Sequence, residues 1–122
     1  MEFLSDDKKE KLNGFVKFVK EQLKLETVPT IVVKKDRDGL KTTANYDYTK
    51  ENKVVKVYGK NRALVDIMRS IAHELVHHKQ YEQGRLKVQP PDIGGEIEDE
   101  ANAKAGQFIK MYAKEDKTIY DD

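Results

Sequence analysis

The sequence predicts an α+β domain, and three observations lead there. Apolar residues recur at helical spacing near the amino terminus, three short runs rich in Thr, Val and Tyr lie between residues 30 and 58, and helical spacing returns from Arg62 to Tyr112 with one interruption. At 122 residues the chain is long enough for one core and too short for two ordinary domains, so residues 1–122 read as a single unit.

The first helix is expected to begin near Ser5 or Asp6, either of which can cap exposed amides, and to bury Leu12, Phe15, Val16, Val19 and Leu23. Gly14 weakens that pattern without ending it. Pro29 separates the helix from a β-rich run at 30–33, and the charged, glycine-containing stretch 35–39 reads as a turn. Two further runs, 42–49 and 53–58, are split by Lys50, Glu51 and Asn52. In the second, Val55, Val57 and Gly59 alternate with Lys56, Tyr58 and Lys60. The simplest assembly is a three-stranded sheet with one face against helices.

From residue 62 to 83 the period changes. Leu64, Ile67, Met68, Ile71 and Leu75 form an apolar arc, with Asp66, Arg69, Ser70, His73, His77 and Gln80 opposite it. Asn61 is a candidate cap, Gly84 ends the pattern, and residues 89–92, with their two prolines, read as a rigid connection. A last helix is expected to start between Ile93 and Glu96 and to pack through Ile97, Ala101, Ala105, Phe108, Ile109 and Tyr112. Residues 114–122 are mostly polar and are expected to form a loose tail.

Composition narrows the function. There are 23 Lys and Arg against 22 Asp and Glu, a formal charge of +1, so no global field favours nucleic acid, and no nucleic-acid partner is expected. No cysteine is present, which removes disulfides and thiolate metal sites and leaves His, Asp and Glu as ligands. Neither a signal peptide nor an apolar run of about 18 residues occurs, so the expectation is a cytoplasmic protein away from membranes.

The sharpest feature is His73-Glu74-Leu75-Val76-His77, an HExxH motif inside the third-region helix. Histidines four apart lie one turn apart on one face, where both rings can hold one ion, and Glu74 beside them can reach a water without becoming a ligand. Two histidines leave a catalytic zinc short of a protein ligand. The downstream segment Glu96 to Asn102 offers several carboxylates, and spacing alone leaves Glu96 and Glu100 with equal claims. Glu98 and Asp99 are expected to point elsewhere. His78 faces the apolar margin and is expected to pack rather than ligate, while Asp66 and Arg69 read as ordinary surface pairing. Tyr46, Tyr48, Tyr81 and Tyr112 are candidate donors to an oxyanion, each with packing as the plainer role.

The segment from Arg69 to His78, followed by Glu98-Asp99-Glu100-Ala101-Asn102, resembles the smallest gluzincin-type zinc metallopeptidases and is distantly similar to regulatory and phage-associated HExxH peptidases. That resemblance implies a zincin-like fold and one zinc ion per chain. It also implies a third ligand at the glutamate before the small residue, here Glu100. The implied activity is endopeptidase, with zinc activating a water, Glu74 as general base and His73, His77 and Glu100 as ligands. Peptide or protein is the implied substrate, lying along an edge strand supplied by 42–48 or 53–58. The chain lacks the second subdomain of larger gluzincins, which keeps open the alternative of a zinc-containing peptide- or protein-binding regulatory module with little turnover. Self-association is left open by the sequence.

Overall fold

The computed structural model describes residues 4–35, 44–47, 53–60, 62–85 and 95–120. Several sequence expectations fall outside them: the turn at 36–39, positions 42, 43, 48 and 49 of the second β-rich run, the break at 50–52, the Asn61 cap, the connection at 89–92 and the last two residues.

The order is α1 (Asp6–Leu23), β1 (Thr30–Lys34), β2 (Ala44–Asp47), β3 (Val54–Tyr58), α2 (Leu64–Glu82) and α3 (Glu96–Glu115), then a 3-10 turn at Lys117–Tyr120. This is the α+β arrangement read from the sequence. Ser5 caps α1 by accepting from the Lys8 amide at 3.2 Å, and Asp6 and Asp7 place negative charge in the first turn. Gly14 has a packing reason to be glycine. A Cβ there would sit 2.6 Å from the Tyr112 hydroxyl of α3, so the missing side chain lets the two helices close. Gly95, at φ 91° and ψ −176°, holds the N-cap of α3 in a conformation that residues with a Cβ rarely adopt.

The sheet runs β1-β3-β2. β1 pairs with β3 in parallel, Val32 opposite Lys56, while β2 pairs with β3 antiparallel, Tyr46 opposite Val55. β3 is therefore central, bonded on both sides. That corrects the expectation that residues 53–58 offer an edge to an extended substrate; among the described strands the edges are β1 and β2. Val33, Tyr46, Val55 and Val57 turn one face inward, and Lys56 is exposed on the other, as the period-two pattern requires.

α2 lies against that face, against α1 and most extensively against α3. It carries the centre of the core: Leu64, Ile67, Met68, Ile71, Ala72, Leu75 and Val76 are all buried. Arg62, just ahead of it, donates to the carbonyls of Tyr58 and Asp66 and to Ser70 Oγ, tying the end of β3 to the first turns of α2. Among the described residues no helix is long and apolar enough to cross a membrane.

The carboxy-terminal segment departs from the loose tail expected beyond residue 113. α3 continues to Glu115, the 3-10 turn follows, and Ile119 is fully buried against α2 and α3. Lys11 of α1 donates to the Thr118 carbonyl at 3.3 Å. Ile119→Ala should cost about 2–5 kcal/mol of stability by denaturant unfolding; an unchanged midpoint would show that the turn contributes nothing to the core.

Candidate metal centre

The apolar arc of α2 fixes its rotation, and that rotation decides where the polar residues between the apolar ones must go. His73 and His77 lie one turn apart on the side that meets α3, with Nε2 atoms 3.1 Å apart. Glu98 reaches them from the first turn of α3, its Oε1 2.7 Å from His77 Nε2 and its Oε2 3.2 Å from His73 Nε2. These three side chains, with ligand atoms all within 4.8 Å of one another, can coordinate a metal ion.

The donor set is one that a divalent metal ion can use. Two imidazole nitrogens and one carboxylate are a familiar catalytic set, and tetrahedral binding at about 2.0–2.1 Å separates neighbouring ligand atoms by about 3.3 Å. Here the separations are 3.2 and 3.1 Å, close to that value, and 2.7 Å, well short of it, with a different Glu98 oxygen facing each histidine. A cation would also relieve the crowding of three lone-pair donors at one point.

The resemblance put the third ligand at Glu100, and the structure brings a different carboxylate to the two histidines. Glu98, expected to point away, is the carboxylate at the histidines. Glu100 instead accepts from Gln80 Nε2 at 2.9 Å and from Arg85 Nη1 at 2.8 Å, and these bonds, with the one from Gln80 foremost, hold its carboxyl below the usual range. The physical reason is helical phase. Glu98 precedes Ala101 and Ala105 by three and seven residues, and both alanines are buried where α3 meets α2. At about 100° per residue, Glu100 lies some 200° around the helix from Glu98. Glu96 lies in the same first turn and, like Glu100, is not part of the cluster.

Glu74 is buried beside the cluster, 7% exposed, and its carboxyl is pushed up to about 8 by burial and by the neighbouring Glu98 charge. His73 is pushed below its ordinary value, first by burial and then by His77, and the Asn102 side chain hydrogen-bonds it. Asn102 was not singled out in the sequence, although it follows Glu98 by one turn and so shares its face. Gln80, fully buried, accepts from His77 Nδ1 at 2.8 Å.

His78 takes the packing role expected of it. Its Nε2 donates to the Thr27 carbonyl at 3.0 Å, and its Nδ1 accepts from the Tyr46 hydroxyl at 2.6 Å. Glu82, one turn on, accepts from the amides of Glu26 and Thr27, so this end of α2 clamps both β2 and the exit of α1. Asp66 and Arg69 form a half-exposed pair at 3.8 Å, as a surface reading requires. Of the candidate oxyanion donors, Tyr46 is engaged by His78, Tyr81 lies under Lys53 Nζ at 5.0 Å, and Tyr112 packs on Phe15 and Phe18; Tyr48 lies outside the described residues. An open groove between α1, α3 and the 3-10 turn, lined by Glu10, Tyr112 and Asp116 among others, shares no residue with the histidine cluster.

Comparison of the chain with protein-family models, with curated proteins and with solved structures finds no match.

The raised Glu74 carboxyl makes a pH prediction for metal-free protein. Between its ordinary 4.5 and about 8, the unfolded chain has released this proton while the folded chain keeps it. The unfolded state therefore binds fewer protons, and the Glu74 contribution to stability falls as pH rises through that window. Glu74→Gln should flatten this component, seen as a wild-type minus variant difference in unfolding free energy that changes between pH 5 and pH 8. A difference independent of pH would show that Glu74 titrates normally.

Proposed function

We propose that this chain is a zinc-dependent peptidase of the gluzincin type, with a zincin-like fold, hydrolysing peptide bonds in a peptide or protein substrate. One observation carries the reading: two HExxH histidines and the Glu98 carboxylate converge on a point beside a buried glutamate that is neither ligand nor surface charge. His73, His77 and Glu98 would hold the ion, one per chain.

Bound there, zinc supplies Lewis acidity toward the scissile carbonyl and lowers the pKa of a water toward neutrality. Glu74 would take a proton from the attacking water as the water oxygen bonds to the carbonyl carbon, and would deliver it to the amine nitrogen as the C–N bond breaks. In the metal-free chain burial keeps this carboxyl protonated up to about 8, and a cation at the cluster would favour its charged form, the one a general base needs. Asn102 and Gln80 orient the two rings. β2 is the edge strand that reaches α2 beside the site, through Tyr46 and His78, so an extended substrate would lie along it by backbone pairing.

A second reading has its own support. Among the described candidate donors the Tyr46 hydroxyl bonds His78 Nδ1 and the Tyr81 and Tyr112 rings pack on Lys53 and Phe15, which favours a zinc-containing peptide-binding module with little turnover. Cleavage of a diverse peptide library separates the two. Under the peptidase reading, Glu74→Gln should retain zinc while activity falls at least about a hundredfold; a wild-type protein that holds zinc and cleaves nothing would leave the binding module.

Metal analysis after mild dialysis tests the ligand set. Wild type should retain about one zinc per chain, Glu98→Ala should lose it, and Glu100→Ala should keep stoichiometric metal with affinity weakened by about tenfold, the size of an outer-partner effect. Loss on Glu100→Ala with retention on Glu98→Ala would reverse the assignment.

A further inference from the structure

Gln80 is polar, fully buried and three residues beyond His77, and both its amide hydrogens and its oxygen have partners. Its amide nitrogen faces the Ile97 carbonyl at 3.0 Å and Glu100 Oε1 at 2.9 Å, and its oxygen faces His77 Nδ1 at 2.8 Å. Both groups on the first side can only accept. They therefore require the NH2 end of the amide there, which leaves Oε1, an acceptor alone, toward His77. His77 Nδ1 must then carry the proton. Its Nε2, 3.1 Å from His73 Nε2 and 2.7 Å from Glu98 Oε1, is left with the lone pair that a metal needs.

We infer that Gln80, held in one amide orientation by Glu100 and the Ile97 carbonyl, is a positioning residue that sets the His77 tautomer and so the metal affinity of the centre. The inference rests on the metal-binding reading above and deepens it. Glu100 acts at one remove: Arg85 pins its carboxylate, the carboxylate fixes the amide, and the amide fixes the ring. The same bonds tie α3 to α2 on either side of Glu98, since Ile97 and Glu100 flank it. A reversed amide would set its NH2 against Nδ1 and its oxygen against a carboxylate and a carbonyl. Every one of those contacts would be repulsive or unmade.

The test compares zinc affinity, by competition with a chromophoric chelator, in full-length wild type, Gln80→Leu and the double variant Gln80→Glu with Glu100→Gln. A leucine side chain at this position fills the space without accepting a proton, and affinity should fall by about 10- to 100-fold. In the double variant a carboxylate at position 80 accepts from both His77 Nδ1 and the new amide at 100 but loses the bond to the Ile97 carbonyl, so affinity should recover in part and stand several-fold above that of Gln80→Leu. Wild-type affinity in Gln80→Leu would overturn the inference alone, as would a double variant no better than Gln80→Leu. A wild-type chain that binds no zinc would overturn the metal reading and this inference together. Should Gln80→Leu fail to fold, zinc-loaded wild type decides by nitrogen-resolved NMR. A slowly exchanging proton on His77 Nδ1 is expected, and coordination through Nδ1, or a fast-exchanging proton there, would refute the role.

Discussion

How closely α3 can lie against α2 governs the rest of the molecule. Ala101 and Ala105 are fully buried on α3, whose most extensive contact is with α2, and each carries only a methyl group. Only at this separation does a glutamate in the first turn of α3 reach the imidazoles of α2, because its side chain spans just a few bonds. The core and the candidate centre are thus two faces of one packing decision. Leu75, Val76, Phe108 and Ile109 bury apolar surface that holds the helices together, and the polar set occupies the end of the interface where α3 begins.

Burying two imidazoles, one carboxyl and one amide in so small a domain is expensive, and the structure answers by giving these groups and their half-buried neighbours fixed partners. His77 is held by Gln80, His73 by Asn102 and Glu98, and Glu100 by Gln80 and Arg85. Among the described residues no buried side-chain nitrogen or oxygen lacks a hydrogen-bond partner. Glu74 is answered differently: its carboxyl stays protonated further up the pH scale, which is how a buried acid beside a second carboxylate avoids an unpaired charge. Adjacent His77 and His78 show how finely this is divided. The first carries its proton on Nδ1 and presents Nε2 to the cluster, whereas the second donates from Nε2 to Thr27 and accepts at Nδ1 from Tyr46.

Much of the fold was legible because it rests on period. The Ser5 cap, the apolar stripe of α1, the arc of α2 and the inward Val55 and Val57 all stand where spacing put them. The HExxH pair was legible for the same reason, since four residues on a helix is a spatial statement. The carboxylate nearest the histidines was not legible because the choice leaned on the identity of the following residue rather than on phase. Counting back three from Ala101 and seven from Ala105, residues already assigned to the packing stripe, would have pointed to Glu98. Gln80 was placed on the correct face but not given a role, because its partners on α3 lie 17 and 20 residues away and no local pattern announces them. The order of the strands was illegible for a related reason: three short β-rich runs do not say which of them is central.

That order bears on how the sheet can come into being. β1 and β2 never touch, so each finds its partner only in β3, the last of the three to leave a ribosome. β2 and β3 can close as neighbours in the chain, whereas the parallel pairing of Thr30 with Val54 must wait until the whole intervening segment has looped back. An amino-terminal fragment ending before residue 54 would thus carry two strand sequences and no native strand pair. In such a fragment the backbone groups that β3 would engage remain open to one another and to other chains.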